Sequence, residues 1–104
     1  MDVVDPVAKT VTVQGGATIG KVDLTCAPHG FIIPMGRLHT TGCAGQMFTT
    51  GAHAYCERMF GLGIDYLLAA TVVTGTGEVV KCSATEHSDL FWAVRGGGGN
   101  FGVV

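Results

Sequence analysis

The chain has 104 residues, room for one domain, with 13% charged residues and 17 glycines, whereas a soluble domain carries about 25% charge and about 7% glycine. A hydrophobic content of 47% with a formal net charge of -2 excludes disorder. With 6 Lys+Arg against 8 Asp+Glu there is no basic face for a nucleic acid, and the longest apolar stretch, Leu67 to Val73, is too short for a membrane span.

Met1 to Asp5 is acidic and has no cationic signal-peptide region. Lys9 to Val13 alternates and is β-branched, which predicts a strand broken by Gly15-Gly16. Thr18 is placed to cap a helix with Ile19, Val22 and Cys26 inward, ended by Pro28-His29-Gly30. Phe31-Ile32-Ile33 predicts a short strand closed by Pro34. Gly36 to Gly51 is rich in Gly and Thr without a period, so a long structured loop is expected there, of the kind that carries function.

A helix is expected from about His53 to Phe60, with Gly61 at its end. Leu67 to Val73 is nearly continuously apolar, which predicts a strand buried on both faces. Thr74 to Gly77 turns it into Glu78 to Lys81, a hairpin. Ser88 is placed to cap a helix from Asp89 to Val94, Gly96 to Gly99 form a flexible link, and Phe101 to Val104 begin a last strand. The class is α+β.

Cys26, Cys43, Cys56 and Cys82 form no Cys-x-x-Cys pair and read as free, mostly buried thiols. His53 and Cys56, three apart, would share a helical face, but a closed metal site needs four ligands. His39 and His53 could serve as acids or bases, but neither is read as having a carboxylate or nucleophile near it in sequence, and no Ser/His/Asp order or paired-carboxylate pattern appears, so no residue reads as catalytic. Gly97 to Gly102 fits G-x-G-x-x-G, yet a helix precedes it and a strand follows, the reverse of the dinucleotide-binding order. Four glycines in a row indicate instead a close approach to the backbone. Thr40 to Gly45 is small and polar, either a solvated loop or one offering hydroxyls and N–H groups to a phosphate or a polar ring edge. The low charge implies that much of the surface is covered by further chain, a partner or a large cofactor.

Three blocks, taken together and in order, carry a resemblance. They are Gln14 to Asp23 with Ala27-Pro28-His29-Gly30, then Thr40 to Gly45, then Leu67 to Thr74 followed by Asp89 to Val104. From about Asp5 onward the chain resembles the FAD-binding, PCMH-type domain of the vanillyl-alcohol oxidase and p-cresol methylhydroxylase flavoproteins, nearest to the berberine-bridge-enzyme-like oxidoreductases. The resemblance implies FAD as cofactor and an oxidase or dehydrogenase of alcohols, sugars or small natural products. Residues 1-104 would be the second subdomain of that domain, truncated. Its upstream pyrophosphate-loop subdomain and its downstream substrate domain would be absent, and the missing parts or a partner chain would complete it.

By the same resemblance the cofactor-binding residues would be Thr40, Thr41, Gly42, Cys43, Gly45, Gly51, Phe101, Gly102, Val103 and Val104. The first group would run along the flavin and its pyrophosphate, and the last near the adenine end. The sequence departs from the family where Thr49-Thr50 stand in a glycine run, and where Arg37-Leu38 occupy the region of the cysteine that attaches flavin in some members. An alternative follows from those departures: a non-catalytic remnant or interaction module without flavin affinity of its own.

Overall fold

Val3–Asp5 (β1) and Thr10–Thr12 (β2) form an antiparallel hairpin in which Val4 faces Val11. The computed structural model describes residues 3–104. The turn is built by Asp5, whose Oδ1 accepts the N–H groups of Val7 and Ala8 at 2.9 Å. Thr10–Thr12 lies within the strand expected at Lys9 to Val13. Its partner β1 was not foreseen, because Val3-Val4-Asp5 is too short to show alternation.

Ile19–Cys26 (α1) buries Ile19, Val22 and Cys26, the face that the spacing predicted. Thr18 takes the extended cap conformation without a side-chain hydrogen bond to the helix. A single 3-10 turn, Ala27–His29, closes the helix, and Gly30 leaves it with φ 71°. Phe31 to Ile33 is not a strand: no partner pairs with it among the described residues. Phe31 and Ile33 still pack inward while Ile32 faces out.

The region expected to be a long loop contains a helix, Cys43–Thr50 (α2). Its sequence is a poor helix former, but Cys43, Met47 and Phe48 fall at helical spacing and pack inward. Thr49 and Thr50 bond their hydroxyls back to the carbonyls of Gly45 and Gln46. The threonines therefore sit in helical backbone, and the left-handed conformations fall on Gly51 (φ 76°) and Ala52 (φ 56°).

The helix expected from His53 to Phe60 is confined to Glu57–Phe60 (α3). The left-handed turn at Ala52 prevents α2 from running on, and Ala52 and Ala54 are buried while His53 and Tyr55 point out. His53 and Cys56 therefore do not share a helical face. Among the described residues no three His, Cys, Asp or Glu side chains gather as metal ligands.

Ala69–Val73 (β3) and Val79–Ser83 (β4) form the expected hairpin, with Val73 opposite Val79 and Ala69 opposite Ser83. Burial on both faces is not observed: Val72 is buried and Ala70 half-buried, whereas Leu68, Thr71 and Val73 are exposed. Among the described residues, only one face of the hairpin meets helices. Ser88–Gly97 (α4) supplies that cover with Phe91 and Val94, while Trp92 faces outward. His87, with φ 45°, takes the cap position expected of Ser88.

The glycine run is not a loose link. Arg95 and Gly96 kink α4, and Gly98–Asn100 forms a 3-10 turn. A Cβ on Gly98 would lie 2.9 Å from Thr49 Cγ2 and 3.2 Å from Phe48 O, so the close approach is made by α2 of the same chain. Gly102, at φ 147°, lets the chain reach the edge of β3. The strand expected at Phe101 to Val104 is reduced to Val103, which exchanges two hydrogen bonds with Val73 at 2.7 and 2.9 Å.

Two cores result. Ala17, Ile19, Val22, Cys26, Met35 and Cys43 form the first, and Phe48, Ile64, Val72, Cys82, Phe91 and Val94 the second. α2 is their common wall, giving Cys43 to one and Phe48 to the other, with Met47 touching both.

Candidate cofactor-binding site

The loop before α2 is held against the start of α1 by backbone bonds. Ile19 N–H donates to Thr41 O at 2.9 Å, Gly20 N–H to His39 O at 3.0 Å, and Cys43 N–H to Ala17 O at 2.9 Å. Thr18 and Gly42 pair as an isolated antiparallel bridge. A Cβ on Gly20 would lie 2.5 Å from His39 Cβ, so the loop can come this close only over glycine.

The carboxyl-terminal segment comes to the same neighbourhood from the other side. Val104 packs on the second core, as Ala44 and Met47 of α2 also do. Its carbonyl oxygen lies 1.9 Å from where a Cβ on Gly15 would stand, so backbone rests on backbone there. Residues 15–17 thus touch Val104 at one end and hold Cys43 at the other. They are a seam that sequence reasoning missed, for Gly15-Gly16 read as a strand breaker and as part of a resembling block, with no contact assigned to them.

Of the ten expected site residues, Cys43 and Val104 touch residues 15–17 directly, and Thr41 and Gly42 pair with Ile19 and Thr18 just beyond them. Thr40, Gly42 and Gly45 are exposed, Thr41 is half-buried, and Gly102 to Val104 run along the edge of β3. Cys43 is different: its side chain is buried in the first core and its N–H is taken by Ala17. Phe101 is exposed, with its ring against Gly97. Gly51 stands apart at the far end of α2, an eight-residue helix about 12 Å long.

Two open clefts flank the loop. One, between it and α1, is lined by Thr18, Lys21, Leu24, His39 and Thr40. The other is lined by Arg37, Leu38, Thr41, Gln46, His53 and Glu57. Gln46 is fixed there because its Oε1 accepts the Gly36 N–H at 2.9 Å. His53 does have a carboxylate neighbour, contrary to the sequence expectation: its Nδ1 lies 2.9 Å from Glu57, four residues on, and holds that carboxyl below the usual carboxylate range.

This surface suits an extended ligand with an anionic centre. Ala44 and Gly45 stand in the first turn of α2, where a helix has no carbonyl to receive their N–H groups and where its dipole favours negative charge. A Cβ on Gly16, Gly42 or Gly45 would meet nothing within 4 Å, so the backbone is open to close approach at all three. The class of the fold is given by comparison with known proteins.

A model described as "FAD binding domain" matches residues 1–83, and the chain belongs to this FAD-binding family. FAD is accordingly its cofactor, and the PCMH-type resemblance read from the sequence holds. Over 107 residues the chain is 42% identical to FAD-linked oxidoreductase pgmH of Aspergillus terreus, covering 97% of this chain and 20% of that protein. It is 42% identical over 96 residues to chitooligosaccharide oxidase of Gibberella zeae, covering 91% of this chain and 19% of the relative. The crystal structure of 6-hydroxy-D-nicotine oxidase from Arthrobacter nicotinovorans superposes with a TM-score of 0.95 at 36% identity, covering 100% of this chain and 23% of that one. The chain thus spans about a fifth of the length of the curated relatives it matches.

Proposed function

We propose that this chain is the second subdomain of a PCMH-type FAD-binding domain, working within a larger FAD-linked oxidase or dehydrogenase of alcohols, sugars or small natural products. The observation that carries the reading is the seam, which gathers the Thr40 to Gly45 loop and the Gly102 to Val104 segment around residues 15–17. FAD supplies hydride-accepting chemistry when bound, and the protein's part is to hold and orient it.

In this reading Thr40, Thr41, Gly42 and Gly45 meet the flavin and its pyrophosphate, through hydroxyls and backbone N–H groups. Cys43 anchors the loop from the core side. Phe101 to Val104 lie toward the adenine end, and Gly51 shapes the exit of α2. No residue of this chain is assigned to bond making or breaking, and the remaining flavin contacts and the substrate site belong to other polypeptide.

The alternative, an interaction module without flavin affinity, draws on the exposed apolar side chains of Leu24, Leu68, Val79 and Trp92. A fluorescence titration of the chain with FAD separates the two. Saturable quenching is expected. Folded protein without quenching would refute unaided flavin binding by this segment and favour the interaction module.

A further inference from the structure

The cleft that Arg37, Thr41, Gln46 and Glu57 help to line has a volume of about 410 Å³, within the range of small-molecule sites. Each of these four residues is held in place. Gln46 Oε1 accepts the Gly36 N–H at 2.9 Å, so the end of that amide left without a partner is its NH2 group. Arg37 is pinned by Tyr55, whose hydroxyl donates to Arg37 O at 3.0 Å and whose ring centre lies 5.7 Å from the guanidinium carbon. Thr41 is fixed through its backbone: its N–H donates to Leu38 O at 3.0 Å and its carbonyl accepts from Ile19 N–H at 2.9 Å. Glu57 gives Oε2 to His53 Nδ1 at 2.9 Å.

What is left over has a chemical character. Among the described residues, the Arg37 guanidinium and Gln46 Nε2 donate to no protein acceptor, and Glu57 Oε1 accepts from no protein donor. Arg37 and Glu57 bring opposite charges to the same cleft, and the third titratable group, His53, is engaged with Glu57. A bare phosphate or carboxylate that gains from Arg37 therefore loses against Glu57. The surplus suits a neutral, planar group with several acceptors and one donor. Of the parts of FAD, the imide edge of the flavin ring has this character, with C2=O and C4=O on either side of N3–H. Adenine carries no carbonyl.

We propose that this cleft receives the imide edge of the flavin ring, with Gln46 and Arg37 donating to its carbonyl oxygens and Glu57 accepting from N3–H. The inference rests on the reading of this chain as a flavin-holding subdomain, and adds which half of the cofactor lies on this side of the Thr40 to Gly45 loop.

FMN and AMP, the two halves of FAD, each carry a phosphate and differ in the ring, so they separate ring binding from anion binding. In NMR titrations of the intact chain, FMN is expected to shift the Gln46 side-chain NH2 and Arg37 guanidinium resonances, and AMP to leave them in place. FMN methylated at N3 cannot donate there and is expected to bind about tenfold more weakly, the size of a hydrogen bond to a charged group. In Glu57→Ala the two flavins should bind alike, a change that a merely structural role of Glu57 does not produce. Equal shifts with FMN and AMP would assign the cleft to phosphate and overturn the proposal, as would a methyl penalty that is absent from the intact chain or persists in Glu57→Ala. Saturable quenching of FAD with the Gln46 resonances unmoved overturns it as well, while leaving flavin binding by the chain intact. A folded chain that responds to none of FAD, FMN and AMP would remove that reading, and this inference with it.

Discussion

The two cores differ in what fills them and in what holds them. The first is built on small and medium buried side chains from the inner face of α1, the start of α2 and loops, packed by the β1–β2 hairpin, with Met35 arriving from a loop and Cys43 from α2. The second takes two phenylalanines and an isoleucine against a hairpin of two five-residue strands and the longest helix of the described residues. Local regularity therefore holds the second region together, whereas the first depends on backbone bonds between distant segments, such as Cys43 to Ala17. The region with less regular structure is the one that carries the proposed flavin loop, in line with the rule that binding groups sit on loops positioned by a scaffold.

Truncating each core gives the largest effect and the sharpest test of how separate they are. Phe91→Ala is expected to cost about 3–5 kcal/mol and Ile19→Ala about 2–5 kcal/mol, read from denaturant midpoints. Because α2 serves both cores, each variant should lower one common transition. Two resolved transitions would show the regions to be independent.

A smaller effect is expected at the seam. Gly15→Ala places a methyl group on the Val104 carbonyl, at a cost of about 1–3 kcal/mol, and pushes the carboxyl-terminal segment off the loop. Its FAD affinity should fall by more than that of Gly16→Ala, whose Cβ meets nothing. Equal affinities in the fluorescence titration would remove the seam from the site.

The smallest concerns the hydrogen bond that fixes Gln46. Gln46→Ala leaves the part-buried Gly36 N–H without its acceptor and should cost about 1 kcal/mol by thermal denaturation. A neutral result would mean that water replaces the amide there.

The same contrast explains what could be read in advance. The β3–β4 hairpin and the buried face of α1 were legible because period and turn chemistry are local signals. α2 was not, since Gly45 and two threonines argue against a helix. Two burials, at Cys43 and Phe48, overrule them from opposite sides. Phe31 to Ile33 failed the other way: the side chains suit a strand, but no backbone partner reaches them. The site loop was found by its composition and by resemblance. The Gly15 contact with Val104 joins residues almost a chain length apart, which no pattern along the sequence encodes.

The burial of the thiols turns the molecule into its own opening gauge. Cys26 and Cys43 lie in the first core and Cys82 in the second, where burial also pushes the Cys82 thiol up and so slows its reaction. Cys56, half-buried just ahead of α3, is left as the most accessible thiol among the described residues. An alkylating reagent should therefore mark Cys56 first. The order in which Cys26, Cys43 and Cys82 follow would report, by mass alone, which half of the protein breathes more often.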